Sequence, residues 1–472
     1  MNKLFLFPAI LFLVSCLSKG PAVSFSVMKE GDICTDPGFS QGLAWADIDK
    51  DGDEDLFVTN SWTNEDNLFY INNSDGTFTN EDNQILSNDK GNSNACSWGD
   101  LNNDGYPDLF VANVNNQNNF LYMNNGDGSF TKIDSMQAST DGGWSYAASW
   151  ADFDKDGWLD LFVGNYNEQS NFIYFNDGTG TLVRDTLSIV SQSHHSTQGV
   201  SCFDYDNDGW PDIYVTNNGQ NELYRNLQDG NFQKIEQGIL VEAKHNSFGC
   251  SAADYNNDGW MDLLVANWSG KNDLYENVGQ SGFVAIRDTV VTQEYLNSEG
   301  SAWGDMDNDG DLDLMVTNDG NNSLFENDGG NFTKRTDLNV CQDNSNSNGV
   351  TWNDFDNDGD LDIFIANGGN QPNLFYTNNG NKNNWIKLKC VGTASNHSAI
   401  GTKVIVYQNI RTQTRVISGQ DGGGYGSQNG LIQHFGLGKK GKIDSIQVIW
   451  PSGKISNLFK PDVNTILSIS ES

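Results

Sequence analysis

The sequence predicts an all-β protein, a seven-bladed β-propeller followed by a small C-terminal β-sandwich-like domain. Three observations carry this. An acidic phrase begins at Asp47, Asp100, Asp152, Asp204, Asp254, Asp305 and Asp354, at intervals of 49 to 53 residues. Each period holds four short apolar runs, the pattern of a propeller blade. Helical periodicity is scarce, which excludes helical repeats, and the period is too long for a β-solenoid.

The chain has 472 residues and a formal charge of −37. That charge excludes nucleic-acid binding through phosphates. It would fit a disordered chain, but 37% hydrophobic and 11% aromatic residues, including 13 Trp, can build a core. At the N-terminus, Lys3 precedes an apolar run from Leu4 to Val14, too short to span a bilayer. Leu13 to Cys16 resembles a bacterial lipobox. The expectation is an exported lipoprotein of the outer membrane or cell surface: signal peptide 1–15, lipidation at Cys16, and a tether over 16–22. That tether reaches about 20 Å, and the lipid is the only membrane contact.

The elements of a unit follow in order. A first run such as Gly42 to Ala46 enters the acidic loop. A second, such as Leu56 to Val58, leaves it and ends at Asn60, Asn113, Asn165, Asn217, Asn267, Asn318 or Asn367. A third, such as Leu68 to Ile71, leads through a Gly-rich turn to a fourth, such as Gly128 to Ile133. The middle runs are apolar along their length, as in sheets packed on both faces. The seventh unit lacks its fourth run. Val23 to Met28 resembles one, so the N-terminal strand is expected to complete that blade, and the propeller is expected to span 23–382.

The acidic loops place oxygen side chains at positions 1, 3, 5 and 9. These are Asp47, Asp49, Asp51 and Asp55; Asp100, Asn102, Asp104 and Asp108; Asp152, Asp154, Asp156 and Asp160; Asp204, Asp206, Asp208 and Asp212. The remaining loops carry Asp254, Asn256, Asp258 and Asp262; Asp305, Asp307, Asp309 and Asp313; Asp354, Asp356, Asp358 and Asp362. A Gly at position 6, such as Gly359, permits a sharp turn. Alternate oxygens around one point suit Ca²⁺, so up to seven Ca²⁺ are expected. An EF-hand is excluded because position 12 is Val58, Val111, Val163, Val215, Val265, Val316 or Ile365, a strand residue where a bidentate Glu would be required. Loop, strand and period together resemble the FG-GAP (or VCBS) repeat family. That resemblance implies that each loop joins the first and second strands of a blade and binds Ca²⁺.

The phrase stops near Asn383, and residues 383–472 read as a small β domain. Gly424 to Gln428, His434 to Gly438 and Trp450 to Gly453 resemble the ASPIC/UnbV domain, which follows such repeats in the cartilage acidic protein family. This implies an extracellular Ca²⁺-binding protein and no catalytic chemistry. His434 reads as a strand histidine near a turn and Arg415 as a surface arginine. Cys96, Cys202 and Cys250 read as buried small hydrophobes, and no C-x-x-C pair marks zinc or redox chemistry.

No catalytic motif stands out among the five His or the abundant Asp. The face opposite the acidic loops is expected to carry Trp62, Trp144, Tyr146, Tyr166, His194, His195, His245 and Trp268, suited to a glycan or protein ligand. The leading reading is a Ca²⁺-binding, lipid-anchored surface propeller that binds a macromolecule. Alternatives are a lyase-like enzyme acting on polysaccharide, or an assembly partner of a secreted system.

Overall fold

A computed structural model describes residues 23–81, 84–420 and 426–472. The expected leader, Cys16 and tether lie outside the described residues.

The repeated unit folds as a four-stranded antiparallel sheet. Blade 1 runs Ser40–Ala46, Asp55–Asn60, Leu68–Asn72 and Phe78–Asn80, in that spatial order. The first strands surround the central axis, each packed on the next, and Asn344–Asn353 packs back on Ser40–Ala46 to close a ring of seven blades. In the seventh blade, the N-terminal strand Phe25–Val27 pairs antiparallel with Leu374–Asn378, with Phe25 opposite Asn378. Residues near both ends of the repeat array therefore share one sheet, and the ring cannot open without breaking that ladder.

Blade contacts are aromatic. Trp45, Trp98 and Trp150 are fully buried. The Trp98 ring meets Phe57 edge-on at 6.4 Å, and Trp150 meets Phe110 likewise at 6.4 Å. Each indole N–H finds an acceptor on the preceding blade: Trp98 donates to the Ala44 carbonyl (3.2 Å) and Trp150 to Ser97 (3.1 Å). At these two blade contacts the packing buries large apolar area and still satisfies the indole N–H, whereas Trp303 Nε1 in the sixth blade is buried without a partner.

A second set of bonds ties each blade to the preceding acidic loop. The Asn ending every third strand donates from Nδ2 to the carbonyl of loop position 2 in that loop. Asn124 reaches Ile48 (2.9 Å), Asn176 reaches Leu101 (3.0 Å), and Asn72 reaches Phe355 (2.8 Å) across the closure.

After the ring come two small sheets. One holds Asn384–Val391, Gln433–Gly438 and Ile466–Ser470; the other holds Lys403–Gln408, Arg411–Val416, Ser445–Ile449 and Ile455–Phe459. Alternating residues such as Ile386, Leu388, Val404, Val406 and Phe435 form the core between them. Residues 383–472 hold ten of the 26 Lys and Arg but four of the 63 Asp and Glu. This basic unit sits as a cap on the acidic-loop face.

Its segment 426–430 enters the channel lined by the first strands. Gln428 pairs with Ala44, its N–H donating to the Leu43 carbonyl at 2.8 Å. Gly42 must be glycine here, because a Cβ would lie 2.2 Å from the Gly426 carbonyl oxygen.

Candidate metal centres and an open mouth

Each acidic loop is a chain of Asx turns. In the sixth, the Asp309 N–H donates to Asp305 and Asp307, and the Asp311 N–H donates to Asp309. Position 4 adopts φ between 55° and 64° in all seven loops, at Lys50, Asn103, Lys155, Asn207, Asn257, Asn308 and Asn357. Asn tolerates this left-handed region better than most residues. Its presence in five of the seven loops was a readable signal that the sequence analysis missed. Position 4 also links loops: Asn103 donates to the Gly157 carbonyl (3.0 Å), Asn308 to Gly359 (3.0 Å), and Lys155 lies over the Trp210 ring.

Do these residues fit a cation? Five loops bring three carboxylates within 4.8 Å of one another: those of Asp47, Asp152, Asp204, Asp305 and Asp354. Oδ1 of Asp47, Asp152 and Asp354 is buried with no hydrogen-bond partner. Burial, reinforced by neighbouring carboxylates, pushes the Asp152 carboxyl up to about 7. Asp100 rises to about 7, mainly through burial. Clustered, dehydrated and partly unpaired oxygens are the donor set a hard divalent cation takes. Asn102 and Asn256 supply neutral oxygens in the second and fifth loops.

The position-9 aspartates have a further duty. In Asp55 one oxygen accepts the N–H of Asn72 (2.9 Å) and the other that of Ile48 (3.3 Å). The same clamp recurs at Asp108, Asp160, Asp212 and Asp313. In Asp262 and Asp362 the second oxygen is buried and unpaired. Position 9 therefore serves the fold as well as any ion. The fourth loop differs again: Arg225 reaches Asp206 at 2.8 Å and Asp208 at 3.3 Å, setting a guanidinium on two of the expected ligands.

The cap engages the same carboxylates from above. Lys387 pairs with Asp354 Oδ2 (2.9 Å), both side chains buried, and Lys389 pairs with Asp47 Oδ2 (2.9 Å). His397 approaches Asp100 Oδ2 at 3.4 Å, and the Gly436 N–H donates to Asp305 Oδ2 at 3.1 Å. Arg411 pairs with Asp311 at 2.5 Å. Asp47 and Asp354 thus turn one oxygen to the cap and keep the other free.

Of the two cap residues singled out in the sequence, Arg415 departs from its reading, whereas His434 lies in the strand Gln433–Gly438 as expected. Arg415 is buried rather than on the surface, 5.2 Å above the Phe435 ring and in the field of Asp305 and Asp254. The carboxylates that influence it belong to another part of the chain, which strand pattern alone does not reveal. His434 donates from Nε2 to the Gly359 carbonyl (3.1 Å), and burial lowers its pKa to about 3, so the ring is neutral. All six described cysteines are free, Cys34 and Cys341 included.

At the other end the ring is open. Trp62, Tyr146, Phe248 and Trp268 line a hollow of about 360 Å³ at the axis, together with Gln41, Glu299 and Asp319. Trp62 is 52% exposed, whereas Tyr146 is 5% exposed. Trp144 and Tyr166 stack behind Tyr146, with Tyr166 4.9 Å from it, and Phe248 stacks on Trp268 at 5.4 Å. The three expected histidines stand apart from the hollow: His195 faces Glu222 (3.2 Å), His245 faces Asp273 (3.6 Å), and His194 meets Ser170 (3.2 Å). Gln41, Phe248, Glu299 and Asp319 were not foreseen.

Seven blades, each with an acidic first loop and five of those loops clustering three carboxylates, define an acidic-loop repeat propeller. The chain belongs to the FG-GAP-like repeat family, matched over 47–111, 100–163, 152–215, 204–265, 254–316 and 305–365, and its end matches the ASPIC and UnbV family over 392–472. It is similar to cartilage acidic protein 1 of Homo sapiens (26% identity over 374 residues, 77% of this chain and 42% of that protein). It is likewise similar to that of Xenopus tropicalis (25% over 384 residues, 79% and 44%). The chain spans less than half the length of these curated relatives. Among solved structures it is similar to YCF48 bound to D1 peptide (TM-score 0.48, 9% identity, 75% of this chain and 94% of that one). It is also similar to an Agrocybe aegerita lectin recognising non-reducing terminal N-acetylglucosamine (TM-score 0.44, 16% identity, 73% and 91%).

Proposed function

We propose that this is a Ca²⁺-stabilised, lipid-anchored surface propeller that binds a macromolecular ligand at the open mouth. The observation that carries the reading is asymmetry: the cap covers the acidic-loop face, whereas the opposite face presents exposed aromatic surface around a hollow. Lipid anchoring rests on the Leu13 to Cys16 sequence. Concave aromatic surface with a few polar groups is what ligand sites share. In the loops, bound Ca²⁺ supplies positive charge at the carboxylate clusters, and the side chains at positions 1, 3 and 5 hold it.

The test is a screen of purified protein against immobilised glycans and peptides, repeated with a Trp62→Ala/Tyr166→Ala/Trp268→Ala variant. Retention without turnover is expected, weakened about tenfold or more in the variant. Undiminished retention by the variant would sink the mouth as the ligand site, and product release would favour an enzyme.

The metal reading makes its own prediction. Arg225 competes for the fourth loop, so Arg225→Met should let the protein hold about one more Ca²⁺ per chain at limiting Ca²⁺, counted by native mass spectrometry.

A further inference from the structure

We propose that the mouth recognises an organic cation, the ammonium or guanidinium of a Lys or Arg side chain on a protein partner, with Glu299 as its counter-charge. This rests on the mouth being the ligand face.

Every first strand carries a register irregularity at the same place, as between Ser298 and Ser301 in the sixth blade. A bulge re-aims one side chain. The frame around it is constant. A buried Ser or Thr precedes the re-aimed residue and bonds the recurrent Asn of the second strand, as Ser298 does to Asn318 (2.8 Å) and Thr197 to Asn217 (3.0 Å). The residue after that Ser or Thr varies: the amides Gln41, Asn94, Gln198 and Asn348, the aromatics Tyr146 and Phe248, and one acid, Glu299. A fixed frame with one variable residue per blade is a recognition ring.

Three of the four amides of this ring spend their donors on the chain itself. Asn348 spends its Nδ2 on the Ser40 carbonyl (2.7 Å), Asn94 on that of Tyr146 (2.9 Å), and Gln198 spends Nε2 on that of Ser247 (3.0 Å). These carbonyl partners fix the amide orientation, and Asn94 Oδ1 is left buried without a partner. Glu299 is 5% exposed and lines the hollow with no hydrogen-bond partner or ion pair among the described residues. Asp319 lies beside it, and among the described residues no Lys or Arg lines the hollow.

A buried carboxylate without a counter-ion is costly. Burial, then the charge of Asp319, pushes the Glu299 carboxyl up to about 8, so the empty mouth keeps it protonated at neutral pH. Of the residues lining the hollow, the others that titrate are Asp319 and Tyr146. A cation entering between Trp62, Tyr146, Phe248 and Trp268 would meet aromatic faces, amide oxygens and a carboxylate, the surroundings that stabilise ammonium and guanidinium groups. Ca²⁺ needs six or more oxygens, which an aromatic wall does not offer. A chain of charge −37 also draws basic partners toward it.

The experiment titrates the Ca²⁺-loaded full chain by calorimetry with a Lys-rich peptide, the same peptide acetylated on every Lys, and an amine-free oligosaccharide. Only the unmodified peptide should bind, and Glu299→Gln should weaken it about tenfold or more. Wild-type affinity should tighten from pH 6 to pH 9 as Glu299 gives up its proton, and Glu299→Gln should flatten that profile. The variant should melt close to wild type at neutral pH, because it exchanges a protonated, unpaired carboxyl for a neutral amide of the same shape. Unchanged binding in Glu299→Gln, or attraction that merely fades with salt in both proteins, overturns the cation reading. So does binding of the acetylated peptide or the oligosaccharide. If Trp62→Ala/Tyr166→Ala/Trp268→Ala abolishes retention while Glu299→Gln does not, the mouth stands and the cation falls. If the triple variant still binds the Lys-rich peptide, the mouth itself falls.

Discussion

Stripping divalent cations with a chelator should lower the thermal midpoint by about 10 °C or more, and Ca²⁺ should restore it better than Mg²⁺. A site held at a hundred times its dissociation constant adds about 2.7 kcal/mol to the folded state. A few such sites on one cooperative ring suffice for the shift, since even a large domain moves by a degree or more per kcal/mol. Ca²⁺ should be favoured because carboxylates and carbonyls on a bent loop tolerate its variable, wide coordination, whereas Mg²⁺ demands a near-ideal octahedron. The pH dependence has a definite sign. Burial raises the Asp55 carboxyl to about 8 and those of Asp100 and Asp152 to about 7. Groups raised above their unfolded values favour the folded state at low pH and lose that contribution as pH climbs through the folded pKa. The chelated protein should therefore melt higher at pH 5 than at pH 8, and the rescue by Ca²⁺ should be larger at pH 8. A midpoint that ignores the chelator at both pH values would refute the metal reading.

The ring was legible because its signals repeat. Asp at position 1 and Val or Ile at position 12 sit in every period, and each marks a local event: a turn, then a strand. The Asn that ends each third strand repeats as faithfully, but its partner lies in the preceding blade, some 70 to 80 residues back for Asn124 and Asn176, so its role emerged only with the fold. The cap was legible as a β unit and not as a cap. Arg415 read as a surface residue, and nothing marked Lys387 or Lys389 as partners of Asp354 and Asp47, because a sequence shows charge without showing which charges face it. The mouth was half legible. Trp62, Tyr146 and Trp268 stand out as aromatics in polar loops, whereas Glu299 reads as an ordinary strand residue until the bulge turns it to the axis. The histidines drew attention for their chemistry, but His195 and His245 already face carboxylates away from the hollow.

Replacing Gln428 by Ala should cost about 2–4 kcal/mol of stability and loosen the cap. The innermost strand of any propeller has an edge with no further strand to pair, and its main-chain groups must find partners in the channel. Here the cap supplies them. The Gln428 side chain accepts the Trp98 N–H at 2.7 Å and donates to the Trp98 carbonyl at 3.0 Å, while Ser427 and Asn429 take the N–H groups of Leu43 (3.2 Å) and Trp352 (3.0 Å). Gln428 is fully buried, so truncation would leave both Trp98 groups unpaired, at about 1–3 kcal/mol each. Gln428→Glu should be no better, because a carboxylate cannot donate to the carbonyl and would bring a buried charge. Gln447→Ala on the cap strand Ser445–Ile449, where the amide makes only an exposed bond to Asn457, should stay within about 0.5 kcal/mol. Hydrogen exchange adds a local check. The Trp98 amide should lose protection in Gln428→Ala far more than amides of the outer blade strands, because only the channel edge depends on the cap for its partners. A loss below 1 kcal/mol, with Trp98 still protected, would mean that water serves the channel edge as well as Gln428 does, and that the cap is held by its other contacts.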